Sequence, residues 1–364
     1  MMTMFTCSSR PASGCGRRTD HLRRKLGRDR IQTMRGMGYL IAPCSGEDEH
    51  PVCGDSASAR HASGRLAWVR LALIANPHSG TAPDPADLEA RLAADGATVS
   101  YVPIEQIANQ DGGDLAGGAL DALRDGGAPD RIVVAGGDGS VGPAALCAAK
   151  LGVPLAVIGV GTANDFARAK DLPLDLGEAC ELARTRDASV AHAELGMAGD
   201  RPFVNAAAAG LSVAAAHAAK PHKSRLGPLA YTVGAVRAGV TATPLRCTVI
   251  CDGERTAPAR AWQVVIGVTG AFGGGSEIGG TRVGDGLLDV AIVPAGSRIG
   301  LIRRAYGMRA GRLTAQADVT HERAAMIELE IDGDHGFNVD GETCRCEPAH
   351  FTLHDGGFEL VRRS

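Results

Sequence analysis

Five consecutive residues, Gly136-Gly137-Asp138-Gly139-Ser140, constrain this chain more than any other stretch. They follow the apolar run Arg131-Ile132-Val133-Val134-Ala135 and precede small residues at 141–150 that read as a helix. A strand, then glycines, then a helix start lets a backbone approach phosphate closely. Glycine has no Cβ, so amide groups can point at an anion. The helix N-terminus adds unpaired N–H groups and a favourable dipole. An acidic residue inside such a loop repels phosphate. Asp138 therefore makes sense as the holder of a metal ion or of a nucleotide hydroxyl.

The same grammar recurs on both sides. Residues 69–75 read as a buried strand that ends in the turn Asn76-Pro77-His78-Ser79-Gly80. Helical spacing of Leu88 and Leu92 marks 85–94, a strand covers 97–102, and a short helix covers 118–123. Residues 155–158 form a further strand, ending in Gly159-Val160-Gly161-Thr162-Ala163-Asn164-Asp165-Phe166. Alternating strands and helices imply a mainly parallel sheet covered on both faces, with ligands at the carboxyl ends of its strands. Taken singly, each turn has a plain structural reading; for the third it is N-capping by Thr162, Asn164 or Asp165. Three glycine turns at one sheet edge are better explained by a nucleotide phosphate site.

After about residue 188 the rhythm changes. Strand-like runs follow one another at 191–195, 201–206, 245–251, 262–268, 287–293, 325–331, 336–339 and 350–353. One helical insert, 226–240, interrupts them. This spacing predicts a β-sandwich. The expected fold is thus a doubly wound α/β nucleotide-binding domain at 67–188, then a β-sandwich domain at 189–364 whose last strand can return to the first domain. Residues 1–66 lack any period and read as a disordered or misassigned extension. Their Arg-rich, acid-poor opening superficially resembles a transit peptide.

Charge sharpens the functional limits. Residues 1–36 carry nine Lys and Arg against two Asp, so the rest of the chain is near −10. An anionic body argues against nucleic-acid binding, which needs broad basic surface. No Cys-x-x-Cys pair occurs among the ten cysteines, which argues against a zinc ribbon. Scattered thiols of this kind suit a reducing, cytoplasmic setting. The most apolar run, 204–216, is shorter than a membrane span of about 20 residues.

Together these residues resemble the catalytic domain shared by diacylglycerol kinases, sphingosine kinases and bacterial lipid kinases. The likeness runs from about residue 69 to 361. It rests on Asn-Pro-x-Ser-Gly at 76–80, Gly-Gly-Asp-Gly at 136–139 and Gly-Thr-x-Asn-Asp-Phe-Ala at 161–167. Asn205 with Gly210, Asp285-Gly286-Leu287-Leu288-Asp289 and Asp340-Gly341-Glu342 extend it. The resemblance implies ATP and Mg²⁺, bound between the two domains. Asn76, Ser79, Gly136, Gly137, Asp138, Gly139, Ser140, Gly161, Thr162 and Asn164 would line the nucleotide. Asp138 and Glu342 would join the magnesium network. Asp285 and the carbonyl of Leu287 resemble a second, structural magnesium site. Asp340 would take the proton of a lipid hydroxyl, with Glu342 organising metal and water. The implied partner is a lipid at the membrane surface, met without a transmembrane segment, and a homodimer is compatible with the chain.

Some positions depart from that pattern. Ser140 stands where Thr is frequent, Thr269-Gly270 where Asn-Gly or Gly-Asn is common, and 273–280 lacks the usual Ala-Pro. The basic residues within 217–225, ahead of an amphipathic stretch, could rest on anionic headgroups or form a solvated turn. One rival is an NAD kinase-like enzyme, which shares the Gly-Gly-Asp-Gly loop but also uses an Asn-Glu pair absent from this sequence. The other is a catalytically silent nucleotide- or lipid-binding regulator.

Overall fold

The computed structural model describes residues 4–5, 31–34, 38–41, 69–108, 115–116, 118–219, 239, 241–272, 276–278, 284–297, 316, 318–333, 336–344 and 350–363. The stretch 226–240, read as a helical insert, lies outside them except at residue 239. The basic side chains of 217–225 lie outside them altogether. The chain divides into the units Met1–Leu66 and Ala67–Ser364. In the first, Gly38–Ile41 lies between Met4–Phe5 and Ile31–Met34 in an antiparallel sheet. The aperiodic sequence there had pointed to no strands.

In the second unit, a six-stranded sheet runs in the order Thr98–Pro103, Arg70–Ala75, Arg131–Gly136, Leu155–Gly159, Phe358–Arg362 and Ser189–Ala193. The first four strands are mutually parallel. Phe358–Arg362, from the far end of the chain, runs parallel to Leu155–Gly159 and antiparallel to Ser189–Ala193. Strands buried on both faces read as continuous apolar runs. Every residue of Arg131–Gly136 is buried. Ile132 and Val134 join Val141, Ala144 and Ala148 of the helix Asp138–Leu151 on one face. Val133 and Ala135 join Leu88, Leu92, Ala179 and Ala183 of the helices Pro85–Leu92 and Leu176–Arg184 on the other. The period of two along the strand therefore sets which helix each side chain meets.

Arg131 is the exception in this core. Its guanidinium, 5% exposed as a residue, donates from Nη1 to the carbonyls of Ala183 (2.6 Å) and Thr185 (2.9 Å) at the end of the helix Leu176–Arg184. Those carbonyls have no partner within the helix. Burial pulls the pKa of Arg131 down, but the charge is spent on a helix C-terminus, where a cation is favoured. Arg131→Met is expected to cost about 2–3 kcal/mol in urea unfolding with an unchanged m-value. A loss below about 0.5 kcal/mol would show that the helix end does not need the cap.

The second lobe is an antiparallel sheet of eleven strands. Its path runs Arg201–Phe203, Gly196–Ala198, His350–Leu353, Met326–Ile331, Leu245–Cys251, Glu254–Gly267, Ala206–Gly210, Phe337–Val339 and Glu342–Cys344. Leu288–Pro294 branches from Glu254–Gly267 and carries Thr320–Ala324 beyond it. The sandwich-like lobe is thus one sheet that branches and curls. Its faces alternate: Val264, Ile266, Val290 and Ile292 fill one core, and Val265, Ala291 and Val293 the other.

One expected strand is broken. The sequence reads as extended through 201–206, yet the strand stops at Phe203 and a new one starts at Ala206. The cause is a side chain from far along the chain. The amides of Val204, Asn205 and Ala206 all donate to the carboxylate of Asp340, at 2.7, 2.9 and 3.1 Å. The amides of Val204 and Asn205 are thus withdrawn from the ladder, which resumes at Ala206, paired with Gly267.

Among the described residues no helix is long and apolar enough to cross a membrane. The most apolar run of the sequence is divided between the strand Ala206–Gly210 and the helix Leu211–Ala219.

Candidate functional site

The three glycine turns meet at the carboxyl edge of the parallel sheet. Gly137 N–H donates to Ser79 Oγ at 3.2 Å, joining the second turn to the first. Thr81 N–H donates to the Val160 carbonyl at 3.0 Å, joining the first to the third. The spacing leaves no room for side chains. A Cβ on Gly161 would lie 2.5 Å from Gly137 Cα, and one on Gly80 would lie 2.6 Å from the Val160 carbonyl oxygen. Glycine at these positions lets three backbones converge.

Each turn is braced from within. Asn76 Oδ1 accepts the His78 N–H at 3.0 Å, an Asx turn. Asn164 precedes the helix Asp165–Ala169 in the left-handed region, φ 52°. Its side chain does not cap that helix. Oδ1 accepts from Gly161 N–H (2.8 Å) and Nδ2 donates to the Gly159 carbonyl (3.0 Å), so the amide fastens the loop instead. Thr162 is exposed at the tip, Ser140 is buried, and Gly136 sits against Ser140, whose Oγ would be 2.6 Å from an added Cβ.

The acidic residues adjoin this cradle from both lobes. Asp138 opens the helix Asp138–Leu151. Its Oδ1 accepts from Phe166 N–H (2.9 Å) and from Asn205 Nδ2 (3.1 Å). Asn205 in turn gives its main-chain N–H to Asp340 Oδ1, so one residue touches both carboxylates. Glu342 reaches over the same helix start: a Cβ on Gly139 would lie 2.7 Å from Glu342 Cγ. The missing side chain at 139 is what admits Glu342.

Burial sets the electrostatics here. Desolvation lifts the pKa of Asp138 above the usual carboxylate range, against the lowering pull of the Phe166 and Asn205 donors. Asp340 is pushed up to about 7, chiefly by desolvation, despite its three amide donors, with the Asp138 charge adding to the rise. Burial thus opposes the ionisation of two neighbouring acids.

The residues at 285 and 287 are built differently. Arg323 Nη2 lies 2.7 Å from Asp285 Oδ1 and 2.6 Å from Oδ2, and the Leu287 N–H donates to Oδ1 at 3.3 Å. Glu194 clamps the same loop by accepting from Gly284 (2.8 Å) and Gly286 (3.0 Å). Asp289, fully buried, pairs with His321 at 2.6 Å and with Arg323 Nε at 3.2 Å. The Asp285 pair raises the Arg323 pKa above its ordinary value. A guanidinium already balances this carboxylate. Asp285 and Leu287, which the resemblance links to a second magnesium ion, enter no step below.

Sequence reasoning marked Asn205 but gave it no task, and it treated Thr269 only as a departure. Thr269 Oγ1 donates to Asn205 Oδ1 at 3.0 Å. A lone amide in the apolar run Val204-Asn205-Ala206 was the available signal.

The chain's kinship agrees with this geometry. Residues 70–195 match the model of the diacylglycerol kinase catalytic domain, and residues 205–362 that of the YegS C-terminal NAD kinase beta sandwich-like domain. A probable lipid kinase YegS-like of Pseudomonas syringae pv. tomato is 31% identical over 240 residues, covering 63% of this chain and 75% of that one. Its counterpart in Pseudomonas putida is 30% identical over 243 residues, covering 63% and 76%. The crystal structure of a diacylglycerol kinase from Bacillus anthracis shares the fold, with a TM-score of 0.61 at 23% identity over 82% of this chain and 99% of that one. By sequence the chain belongs to the YegS-like lipid kinases, which join a diacylglycerol kinase catalytic domain to a NAD kinase-like β-sandwich.

Proposed function

We propose that this chain transfers the γ-phosphoryl group of ATP, with Mg²⁺, to the hydroxyl of a diacylglycerol-like lipid at a membrane surface. The observation that carries the reading is the junction just described: three mutually packed glycine turns with Asp138, Asp340 and Glu342 around one helix N-terminus. Glycine turns at strand ends beside a helix N-terminus let backbone come close to a triphosphate. The donor set fits magnesium, which takes one or two carboxylates and completes its shell with substrate phosphate and water. Asp138 and Glu342 are the residues that would hold it. Bound there, the ion would neutralise phosphate oxygens as charge moves onto them.

Asp138 Oδ1 accepts from Phe166 and Asn205, and the Asp165 backbone adds a donor to the same carboxylate, so the group is held in place where it would meet an ion. Asp340 Oδ1 accepts two amides and Oδ2 one, so a lone pair on Oδ2 remains for the proton of the attacking hydroxyl. Its raised pKa suits a base that works near neutrality.

The test is a transfer assay with the purified chain, labelled ATP and Mg²⁺, offered a fractionated lipid extract and, separately, NAD. Label in an organic-phase product about 80 Da heavier than its lipid precursor supports the reading. Label in NAD alone would replace it with NAD kinase activity. ATP binding without any product would point to a silent regulator.

A further inference from the structure

We infer that Thr269 is a positioning residue that sets the orientation of the Asn205 amide and, through it, of the Asp138 carboxylate. The inference rests on the magnesium role proposed for Asp138. The chain of contacts is continuous. Thr269 Oγ1 donates to Asn205 Oδ1 at 3.0 Å, and Asn205 Nδ2 donates to Asp138 Oδ1 at 3.1 Å. The threonine is fixed in turn. It follows the strand Glu254–Gly267, and its Oγ1 accepts the Ala271 N–H at 3.3 Å. With that lone pair engaged, the hydroxyl proton is left for Asn205.

Burial makes the orientation matter. Asn205 is 2% exposed, so both ends of its amide rely on protein partners. Its main chain is anchored at both ends, the N–H to Asp340 and the carbonyl to the Val268 N–H at 2.9 Å. The side chain can still turn over. In the flipped state Oδ1 would face the Asp138 carboxylate, acceptor against acceptor. A donor at 269 disfavours that state by rewarding the correct one. Valine at 269 matches the shape but offers no donor, and Oδ1 is then left buried without a partner. Asp138 then loses the one side-chain donor among the three holds on its carboxylate, and with it the orientation that the proposed magnesium role needs. Serine retains the hydroxyl.

Three readouts decide the matter. Calorimetric titration of the full chain with ATP, with and without Mg²⁺, needs no lipid. We expect the wild type to gain affinity with Mg²⁺, Thr269→Val to lose most of that gain while binding metal-free ATP as before, and Thr269→Ser to restore it. In the transfer assay, Thr269→Val should lower kcat about 10- to 100-fold with little change in KM for ATP, again restored by Ser. In an Asn205→Ala background, Thr269→Val should have no further effect, because the relay is already cut. Thermal melts of each variant separate positioning from collapse. Equal losses in Val and Ser, a Val variant within twofold of wild type, or additive losses in the double variant would overturn the inference. If the wild type itself gains nothing from Mg²⁺, the magnesium role of Asp138 falls first, and the relay loses its purpose with it.

Discussion

Asp138→Ala should lower kcat/KM at least about 10³-fold, some 4 kcal/mol of transition-state stabilisation, while the protein still melts within a few degrees of wild type. The two halves of this expectation have different causes. Catalysis falls because a carboxylate at the helix start, bonded to Phe166 in one lobe and to Asn205 in the other, is removed. Stability holds because two terms oppose each other. Loss of the side chain orphans the Phe166 N–H and the Asn205 amide, each costing about 1 kcal/mol where water has access. It also removes an acid whose ionisation burial opposes. The transfer assay and a thermal melt measure the two separately. A variant that turns over within tenfold of wild type would remove Asp138 from the mechanism.

Asp340→Asn is expected to lose about 10²- to 10³-fold in kcat and, unlike the change at 138, about 2–3 kcal/mol of stability. The backbone is not the reason: Asp340 lies at φ 47°, a left-handed conformation that Asn also tolerates. The cause is donor arithmetic. A carboxylate accepts from Val204 at one oxygen and from Asn205 and Ala206 at the other. An amide has one oxygen, so its NH₂ must face an N–H wherever it is turned. ATP affinity should hold, since no glycine turn is touched. A variant with full kcat would exclude Asp340 as the base.

The pH dependence of stability isolates the same residue. Its folded pKa is about 7 against an ordinary 3.8, so between those values the folded state keeps a proton that the unfolded chain has lost. The contribution of Asp340 to stability is complete below about pH 4 and declines as pH rises towards 7. Metal-free wild type should therefore lose more melting temperature from about pH 5 to pH 8 than Asp340→Asn does. Identical slopes would place the pKa of Asp340 back in the ordinary range.

Much of the α/β lobe was legible because its signals are local. Buried strands such as Arg131–Gly136 announce themselves as unbroken apolar runs, and the glycines that follow them mark where backbone must pass close to backbone. The second lobe was legible as a β-sandwich but not in its strand order, because branching at Glu254–Gly267 depends on which strands pair. The break at 204–205 was invisible for the same reason. So was the fate of Asp285, whose Arg323 partner stands 38 residues away.

The order of residues alone thus determined the doubly wound lobe, the three turns and the acids beside them, since each is written within a few neighbouring positions. Only the tertiary structure decided how those acids are used. Asp340 meets amides 134 to 136 residues earlier, and Thr269 meets an amide 64 residues earlier. A buried polar atom must find its partner among whatever the sheet register brings near it, and that neighbourhood exists only once both lobes have packed.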